Sequence, residues 1–186
     1  MIDQFGRRVE YLRVSVTDKC NLRCIYCMPL EGLTWLRRDE LLNYEEIETI
    51  VRVMAGMGLR RVRVTGGEPL IRRDLPDLIR KISAIPEIED LSLSTNAVLL
   101  ADQAQDLRDA GIQRLNISLD SLQQERVDEL SRRPGSFPKI LEGLEAAESV
   151  GFTPIKVNVV LIRGRNDDEI EDFALITKER PWHVRF

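Results

Sequence analysis

Residues 12–27 read LRVSVTDKCNLRCIYC and place three cysteines, Cys20, Cys24 and Cys27, directly after a short apolar segment. The chain has 186 residues and contains no other cysteine. Three thiolates spaced Cys-x3-Cys-x2-Cys can each bind one iron of a 4Fe-4S cube, which leaves the fourth iron without a protein ligand. A zinc site with a distant fourth ligand is the alternative, although structural zinc sites more often carry paired Cys-x2-Cys motifs. We therefore predict a metal site at this loop.

Composition and charge suit one globular domain. The chain is 43% hydrophobic and 31% charged, and we expect a single domain over residues 1–186. Its formal net charge of -4 gives no reason to expect general binding to nucleic acid. The N-terminus lacks the apolar region of a signal peptide, and no run approaches the roughly 20 apolar residues that cross a bilayer. Clustered cysteines without pairing partners elsewhere also fit a reducing cytosol. We predict a cytoplasmic protein without nucleic-acid or membrane partners.

Strand and helix patterns alternate along the chain. Segments rich in apolar and β-branched residues predict six strands, at 13–16, 61–65, 90–94, 114–119, 156–161 and 182–186. Each intervening helix returns the chain to begin the next strand in the same direction, which predicts a parallel α/β sheet. A doubly wound, flavodoxin-like sheet has the same local pattern. Polar residues at the carboxyl ends of most strands favour instead a partial (β/α)6 TIM-like barrel with a site on its axis.

Several helix starts carry recognisable caps. Asn43 and Glu46 predict a capping box, and Asp74 and Ser136 each predict an N-cap. The last helix is expected to begin at Asn166 or Asp167, with an inward face made of Ile170, Phe173 and Ala174.

The second predicted strand ends in TGGEPL, residues 65–70. Two successive glycines let a ligand approach the backbone closely, and Pro69 keeps Glu68 extended. A tight turn between strand and helix is the simpler interpretation of the same residues.

Five segments occur in a characteristic order: LRVSVTDKCNLRCIYCMP, VRVTGGEPLIRRDL, LSTNAVLL, LNISLDSL and KVNVVLIRGRNDDEI. Together they resemble the radical S-adenosylmethionine (SAM) superfamily and, within it, the GTP 3′,8-cyclase family of molybdenum cofactor biosynthesis. The resemblance implies a cluster-bound SAM that yields a 5′-deoxyadenosyl radical. That radical removes hydrogen from C3′ of GTP, so that C3′ joins C8 and 3′,8-cyclo-7,8-dihydroguanosine triphosphate forms. It also implies the (β/α)6 barrel of the radical SAM type.

Matching the motifs of this family implies roles for ten residues. The implied cluster ligands are Cys20, Cys24 and Cys27; the SAM contacts are Tyr26, Gly67 and Ser118; the GTP contacts are Arg13, Arg63, Ser94 and Lys156. No side chain is assigned as the catalytic group, because the SAM-derived radical performs the chemistry. Each residue also has a structural interpretation: Tyr26 as packing, Ser118 as a buried hydroxyl, and the basic residues as side chains that reach a solvated rim.

The family extends into a C-terminal region with a second three-cysteine 4Fe-4S cluster that binds guanine. The resemblance therefore predicts that this chain is the N-terminal part, truncated after the sixth strand and inactive alone in GTP cyclisation. It further implies a reductant for the cluster, a cyclic pyranopterin monophosphate synthase acting next in the pathway, and allows a homodimer. Ala97 stands where the family commonly has glycine; alanine enters left-handed conformations less freely than glycine, so the resemblance leaves the fine geometry of this loop open. The alternatives are another radical SAM enzyme, such as a peptide-modifying maturase, or a non-catalytic metal-binding module.

Overall fold

The computed structural model describes residues 2–29 and 31–186, which contain six strands in one parallel sheet. The strands pair in chain order: β1 (Tyr11–Ser15), β2 (Arg61–Thr65), β3 (Asp90–Thr95), β4 (Arg114–Ser118), β5 (Ile155–Asn158) and β6 (Trp182–Arg185). A doubly wound sheet reverses its strand order part-way, whereas consecutive order follows one direction around a barrel. The two edges are β1 and β6, so the barrel is open. The predicted α/β partial barrel is confirmed.

Helices occupy the connections between the strands. Within the described ranges they are α1 (Tyr44–Gly56), α2 (Leu75–Ser83), α3 (Ala104–Ala110), α4 (Gln124–Ser131), α5 (Ser136–Ser149) and α6 (Ile170–Ile176). Short 3-10 turns lie at Arg38–Glu40, Pro69–Ile71 and Asp167–Glu169. None of the helices in the described part of the chain is long and apolar enough to cross a membrane.

The core lies between the sheet and the helices. Along β2, Val62 and Val64 are completely buried, whereas the alternating Arg61, Arg63 and Thr65 retain exposure. Successive side chains of a strand point to opposite faces, so one face joins the apolar core and the other lines the open interior. The other strands contribute to one core cluster that extends from Val16 to Trp182. This alternation places polar side chains on the inner face of the barrel.

The predicted caps are partly confirmed. Asn43 and Glu46 form the expected capping box, in which each side chain accepts the other residue's N–H at 2.8 Å. Asp74 occupies the N-cap position of α2, as predicted, but it adopts a left-handed conformation and its side chain makes no capping bond. Ser136 is not a cap. It is the first residue of α5, and its hydroxyl lies 3.2 Å from that of Ser131.

The last predicted helix begins later than expected. Asn166 precedes the 3-10 turn Asp167–Glu169 without a side-chain capping bond. Phe173 is fully buried, as predicted, but Ile170 and Ala174 are exposed. The predicted inward face was therefore wrong in two of its three residues, because the 3-10 turn rotates the helix relative to the assumed start.

Candidate cofactor site

A cavity of about 530 Å³ opens at the carboxyl ends of the strands. Nine of the ten predicted site residues line it: Arg13, Cys20, Cys24, Tyr26, Cys27, Arg63, Gly67, Ser94 and Ser118. In parallel β/α folds this end of the sheet is where functional groups converge. Residues that are up to 105 positions apart in the sequence are thus brought to one concave surface.

The cysteine loop begins shortly after β1 and contains a single turn. The carbonyl of Cys24 accepts the N–H groups of Cys27 at 2.9 Å and Met28 at 3.0 Å. All three cysteines are free thiols; Cys20 and Cys24 are half-buried and Cys27 is exposed. Burial, helped by the nearby Asp120, raises the pKa of Cys24 to about 11, and burial also raises the pKa of Cys20. The two thiols therefore stay protonated at neutral pH until a metal displaces the proton.

The donor set fits an iron-sulfur cube better than a single ion. The three thiols lie on one short loop of eight residues, Cys20 to Cys27. Yet among residues 2–29 and 31–186, no three His, Cys, Asp or Glu side chains are close enough to share one metal ion. Zinc would need its sulfurs about 3.8 Å apart, given tetrahedral bonds of about 2.3 Å. Each thiolate of a cube binds a different iron, which does not require the sulfurs to meet at one point.

The end of α4 holds the cysteine loop in place. The N–H of Arg23 donates to the carbonyl of Ser131, and that of Ile25 donates to the carbonyl of Leu130, both at 2.9 Å. The last carbonyls of a helix have no partner within the helix. The cysteine loop supplies these partners, so loop and helix end satisfy each other's backbone groups.

The glycine pair after β2 is explained by the close approach of two loops. The N–H of Gly67 donates to the carbonyl of Thr17 at 2.7 Å, and that of Glu68 donates to the carbonyl of Lys19 at 2.8 Å. A Cβ atom on Gly66 would lie 2.6 Å from the Thr17 oxygen, and one on Gly67 would overlap the Lys19 carbonyl. The two glycines therefore let this turn dock against the segment that leads into the cysteines.

Glu68 connects this turn to β3 and to the cysteine loop. Its carboxylate is 1% exposed and accepts the Thr95 hydroxyl and the Asn96 N–H, both at 2.7 Å. Burial raises its pKa, and these hydrogen bonds oppose the rise. The Asn96 amide then donates to Asn21 Oδ1 at 2.7 Å and lies 3.8 Å from Cys20 Sγ. Sequence reasoning gave no role to Glu68 or Asn96, because their partners come from distant segments.

Asp120 forms a similar connection on the opposite side of the cavity. One carboxylate oxygen accepts the Tyr26 hydroxyl at 2.6 Å, and the other accepts the Val160 N–H at 2.9 Å. Burial raises the pKa of Asp120, and burial together with the adjacent carboxylate raises the pKa of Tyr26 well above its ordinary value. Asp120 lies two residues after the end of β4, and both partners of its carboxylate come from distant segments, so no local sequence pattern identified them.

The inner face of the barrel below the cavity is basic. Arg185 of β6 lines the cavity together with Arg13 and Arg63, although the sequence did not indicate it. Lys156 is the one predicted site residue that does not line the cavity. It lies two residues before the carboxyl end of β5, where burial and the neighbouring Arg114, Arg185 and Arg63 lower its pKa. Positive charges that lower one another's pKa repel each other, and a bound anion would offset this repulsion.

A comparison with protein families decides the assignment. The model of the radical SAM superfamily matches residues 14–175, which include the end of β1, the cysteine loop and strands β2 to β5. The chain belongs to the radical SAM superfamily. That family implies a 4Fe-4S cluster and SAM, and the spacing of Cys20, Cys24 and Cys27 fits its cysteine motif.

Relatives of this radical SAM chain include the GTP 3′,8-cyclase of Listeria monocytogenes serotype 4b, 52% identical over 184 residues. The match covers 99% of this chain and 55% of that protein. The GTP 3′,8-cyclase of Petrotoga mobilis is 49% identical over 186 residues, which cover all of this chain and 57% of that protein. The chain thus spans little more than half the length of these curated relatives.

A solved structure shares the fold. Streptococcus suis SuiB, bound to its precursor peptide SuiA, superposes with a TM-score of 0.74 at 21% identity. The alignment covers 94% of this chain and 38% of SuiB. At this identity the likeness concerns the barrel alone, and it agrees with the radical SAM partial barrel described above.

Proposed function

We propose that this chain is the cluster-binding and SAM-binding core of a GTP 3′,8-cyclase, which acts in the first step of molybdenum cofactor biosynthesis. The observation that carries the proposal is the meeting of three thiols with Arg13, Arg63 and Arg185 on one cavity. A radical SAM enzyme needs the thiols, and a triphosphate substrate needs the cations. The identity of about half of all residues to two GTP 3′,8-cyclases supports this choice of substrate.

In this proposal Cys20, Cys24 and Cys27 hold the 4Fe-4S cluster. When bound there, the cluster would supply the single electron on which radical SAM chemistry depends. The protein residues bind and orient the reactants around it. Gly67 lies on the turn that docks beside the cysteine loop, so its backbone can face SAM from one side of the cavity. Tyr26 and Ser118 would contact SAM from the other side.

The inner face of the barrel is proposed to bind GTP through its phosphates. Arg13 and Arg63 carry forked donors that match phosphate oxygens, while Lys156 offers a compact charge. The pKa of Arg63 is lowered first by burial and then by nearby arginines. A bound triphosphate would neutralise this repulsion. Ser94, on the same cavity wall, supplies a hydroxyl as a further donor.

The remaining parts of the proposal concern the whole enzyme. Because the chain covers only 55% of its Listeria relative, guanine binding by a second cluster is proposed for a C-terminal region. Residues 1–186 contain three cysteines, which one cluster would use completely. We therefore propose residues 1–186 as the radical SAM core domain. We expect them alone to cleave SAM without cyclising GTP.

The cellular setting is also part of the proposal. The enzyme is proposed to be cytoplasmic, to receive electrons from a cellular reductant, and to provide the substrate of cyclic pyranopterin monophosphate synthase. A homodimer is compatible with this proposal.

Anaerobic reconstitution with iron and sulfide tests the proposal. The protein is expected to turn brown and to hold about four irons per chain. With SAM and dithionite it should release 5′-deoxyadenosine, measured by chromatography, and GTP should bind with higher affinity than guanosine in a calorimetric titration. A colourless zinc protein would overturn the radical SAM chemistry. Cleavage of SAM without any preference for GTP would indicate a different radical SAM substrate, such as a peptide.

A further inference from the structure

We propose that Asp120 is a positioning residue of the SAM site, which fixes the ring of Tyr26 through a hydrogen bond from the Tyr26 hydroxyl to the Asp120 carboxylate. The inference rests on the proposed SAM binding and deepens it. The motif match assigns a contact to Tyr26 but gives no reason why its ring should hold one orientation.

Tyr26 needs an external partner to be held in place. It lies between Cys24 and Cys27 in the cysteine loop, and the residue is 44% exposed. An exposed ring on a loop exchanges between rotamers unless a specific contact selects one. The hydroxyl of Tyr26 lies 2.6 Å from Asp120 Oδ2, and the two residues are 94 positions apart in the sequence. This distance is within the range of a charge-assisted O–H···O bond.

Asp120 is itself fixed by two further hydrogen bonds. Its other carboxylate oxygen accepts the Val160 N–H at 2.9 Å, and its backbone carbonyl accepts the side-chain amide of Asn166 at 2.6 Å. Asn166 is completely buried, and its amide also donates to the Val160 carbonyl at 2.9 Å. The carboxylate is therefore held in place before Tyr26 binds to it. Little side-chain entropy remains to be lost when the bond forms.

The bond joins three segments around the proposed SAM site. Tyr26, Asp120 and Val160 all line the cavity, and they belong to the cysteine loop, the end of β4 and the end of β5. A bond that spans these segments fixes how far the cysteine loop stands from the rim of the barrel. If packing alone held the Tyr26 ring, the hydroxyl would be dispensable and phenylalanine would serve equally well.

A double-mutant cycle on the anaerobically reconstituted protein tests the proposal. The variants are Tyr26→Phe, Asp120→Ala and the double variant, and SAM affinity is measured by calorimetry. Each single change is expected to raise the Kd for SAM about tenfold or more, as for a hydrogen bond to a charged group. The double variant should bind SAM as tightly as the weaker-binding of the two single variants, because both changes remove the same bond. Asp120→Asn keeps an acceptor and should restore part of the affinity.

Two controls separate positioning from general damage. Tyr44→Phe removes a hydroxyl that donates to the Arg73 carbonyl at 2.7 Å, outside the cavity, and should leave SAM affinity within about twofold of wild type. All variants should keep the wild-type iron content, since the cysteines are intact. An unchanged Kd in Tyr26→Phe, or single effects that multiply in the double variant, would overturn the proposal.

Hydrogen exchange of the metal-free protein gives a second readout that does not depend on SAM. Amides of residues 20–28 should exchange faster in Tyr26→Phe and in Asp120→Ala, by the same factor, and no faster in the double variant. Unchanged exchange would overturn the positioning role even if the wild type bound no SAM. Absence of SAM binding in the wild type, with the exchange effects present, would instead count against the proposed function alone.

Discussion

Cys24 lies between the other two thiols in the cysteine loop. We expect Cys24→Ala to abolish cluster assembly, because two thiolates cannot hold three irons of a cube. Iron content and release of 5′-deoxyadenosine should fall together, as measured by an iron assay and by chromatography. Circular dichroism should show an unchanged fold, since the substitution removes one half-buried sulfur. Wild-type iron content and SAM cleavage in this variant would contradict the cluster assignment.

Lys156 provides a test of the phosphate site, although it does not line the cavity. Its pKa is lowered by burial and by nearby arginines, so a bound polyanion would gain from its charge. We expect Lys156→Ala to weaken GTP binding by about 1.5–3 kcal/mol, or roughly 10- to 150-fold in Kd. Calorimetric titration measures the effect. SAM cleavage should persist, because Lys156 is assigned to the substrate.

Lys139 is the matched control for this charge. It is an exposed lysine on α5, and Lys139→Ala should leave the Kd for GTP unchanged. If both substitutions weakened GTP binding equally, the effect would reflect only the lower overall positive charge of the protein. No effect of Lys156→Ala would make Lys156 part of the scaffold.

At the level of single residues, the cysteine spacing and the family resemblance pointed to the three cysteines and to Gly67, and the structure places all four on one cavity. Their roles as cluster ligands and as a SAM contact stay predictions. The roles of Glu68, Asn96 and Asp120 could not be predicted, because their partners lie in segments far away along the chain. Such contacts are determined by tertiary packing and leave no local pattern.

Ala97 shows how an element can impose a conformation on a residue. It has φ of 62° and is completely buried, so this alanine occupies the left-handed region that favours glycine. Such a conformation costs a non-glycine residue about 1–2 kcal/mol. Helix α5 packs directly onto this position through Gly143. Ala97 therefore takes the left-handed conformation despite its Cβ, because the surrounding elements hold it there.

Gly143 of α5 should be unusually intolerant of alanine. Replacing an interior helix glycine by alanine normally stabilises a helix by about 1 kcal/mol. At Gly143 the added Cβ would overlap the carbonyl oxygen of Ala97 and lie 3.1 Å from Leu100 Cβ. We therefore expect Gly143→Ala to lower the free energy of unfolding by about 1–3 kcal/mol. Urea denaturation measures the change.

The control for Gly143 is Gly56, the last residue of α1. There an added Cβ would meet no described atom within 4 Å. Gly56→Ala should be neutral or stabilise the protein by up to about 1 kcal/mol. If Gly143→Ala were equally well tolerated, α5 would not pack as closely on Ala97 as the structure shows.

Element boundaries were predictable where one local rule dominates. The span of β2 was predicted correctly, because alternating apolar and polar residues reveal a strand with one buried face. The capping box at Asn43 followed from two residues three positions apart. The side-chain capping bond of Asp74 and the N-cap position of Ser136 were not predicted correctly, because both depend on the backbone conformation at the helix start, which neighbouring elements determine.

At the scale of the whole molecule, the strands and helices share a single hydrophobic core, so we expect them to unfold together in a single transition. The buried cluster runs continuously from Val16 to Trp182 and includes the helices on the outer face of the sheet. Trp182 on the edge strand β6 is 5% exposed, and its ring N–H donates to Glu148 of α5 at 2.6 Å. In Trp35→Phe, where Trp182 is the remaining fluorophore, fluorescence and far-UV circular dichroism should give the same urea midpoint. An earlier fluorescence transition would show that β6 detaches first.

The overall architecture was the most predictable feature, because six strands separated by helices allow few arrangements of a parallel sheet. The sequence alone did not exclude a doubly wound order, whose local pattern is the same. Only the observed pairing of consecutive strands, with β1 and β6 at the edges, decides between them.

The anchoring of the cysteine loop has a consequence for biosynthesis. The loop emerges early from the ribosome, but the Arg132 guanidinium that donates to the Met28 carbonyl follows 104 residues later. At typical translation speeds of 5–20 residues per second, the thiols wait on the order of 5–20 s for the segment that holds them. During this interval three reactive sulfurs are presented on a nascent chain without their scaffold. The complete anchoring of the cysteine loop therefore becomes available only after the end of α4 has been synthesised.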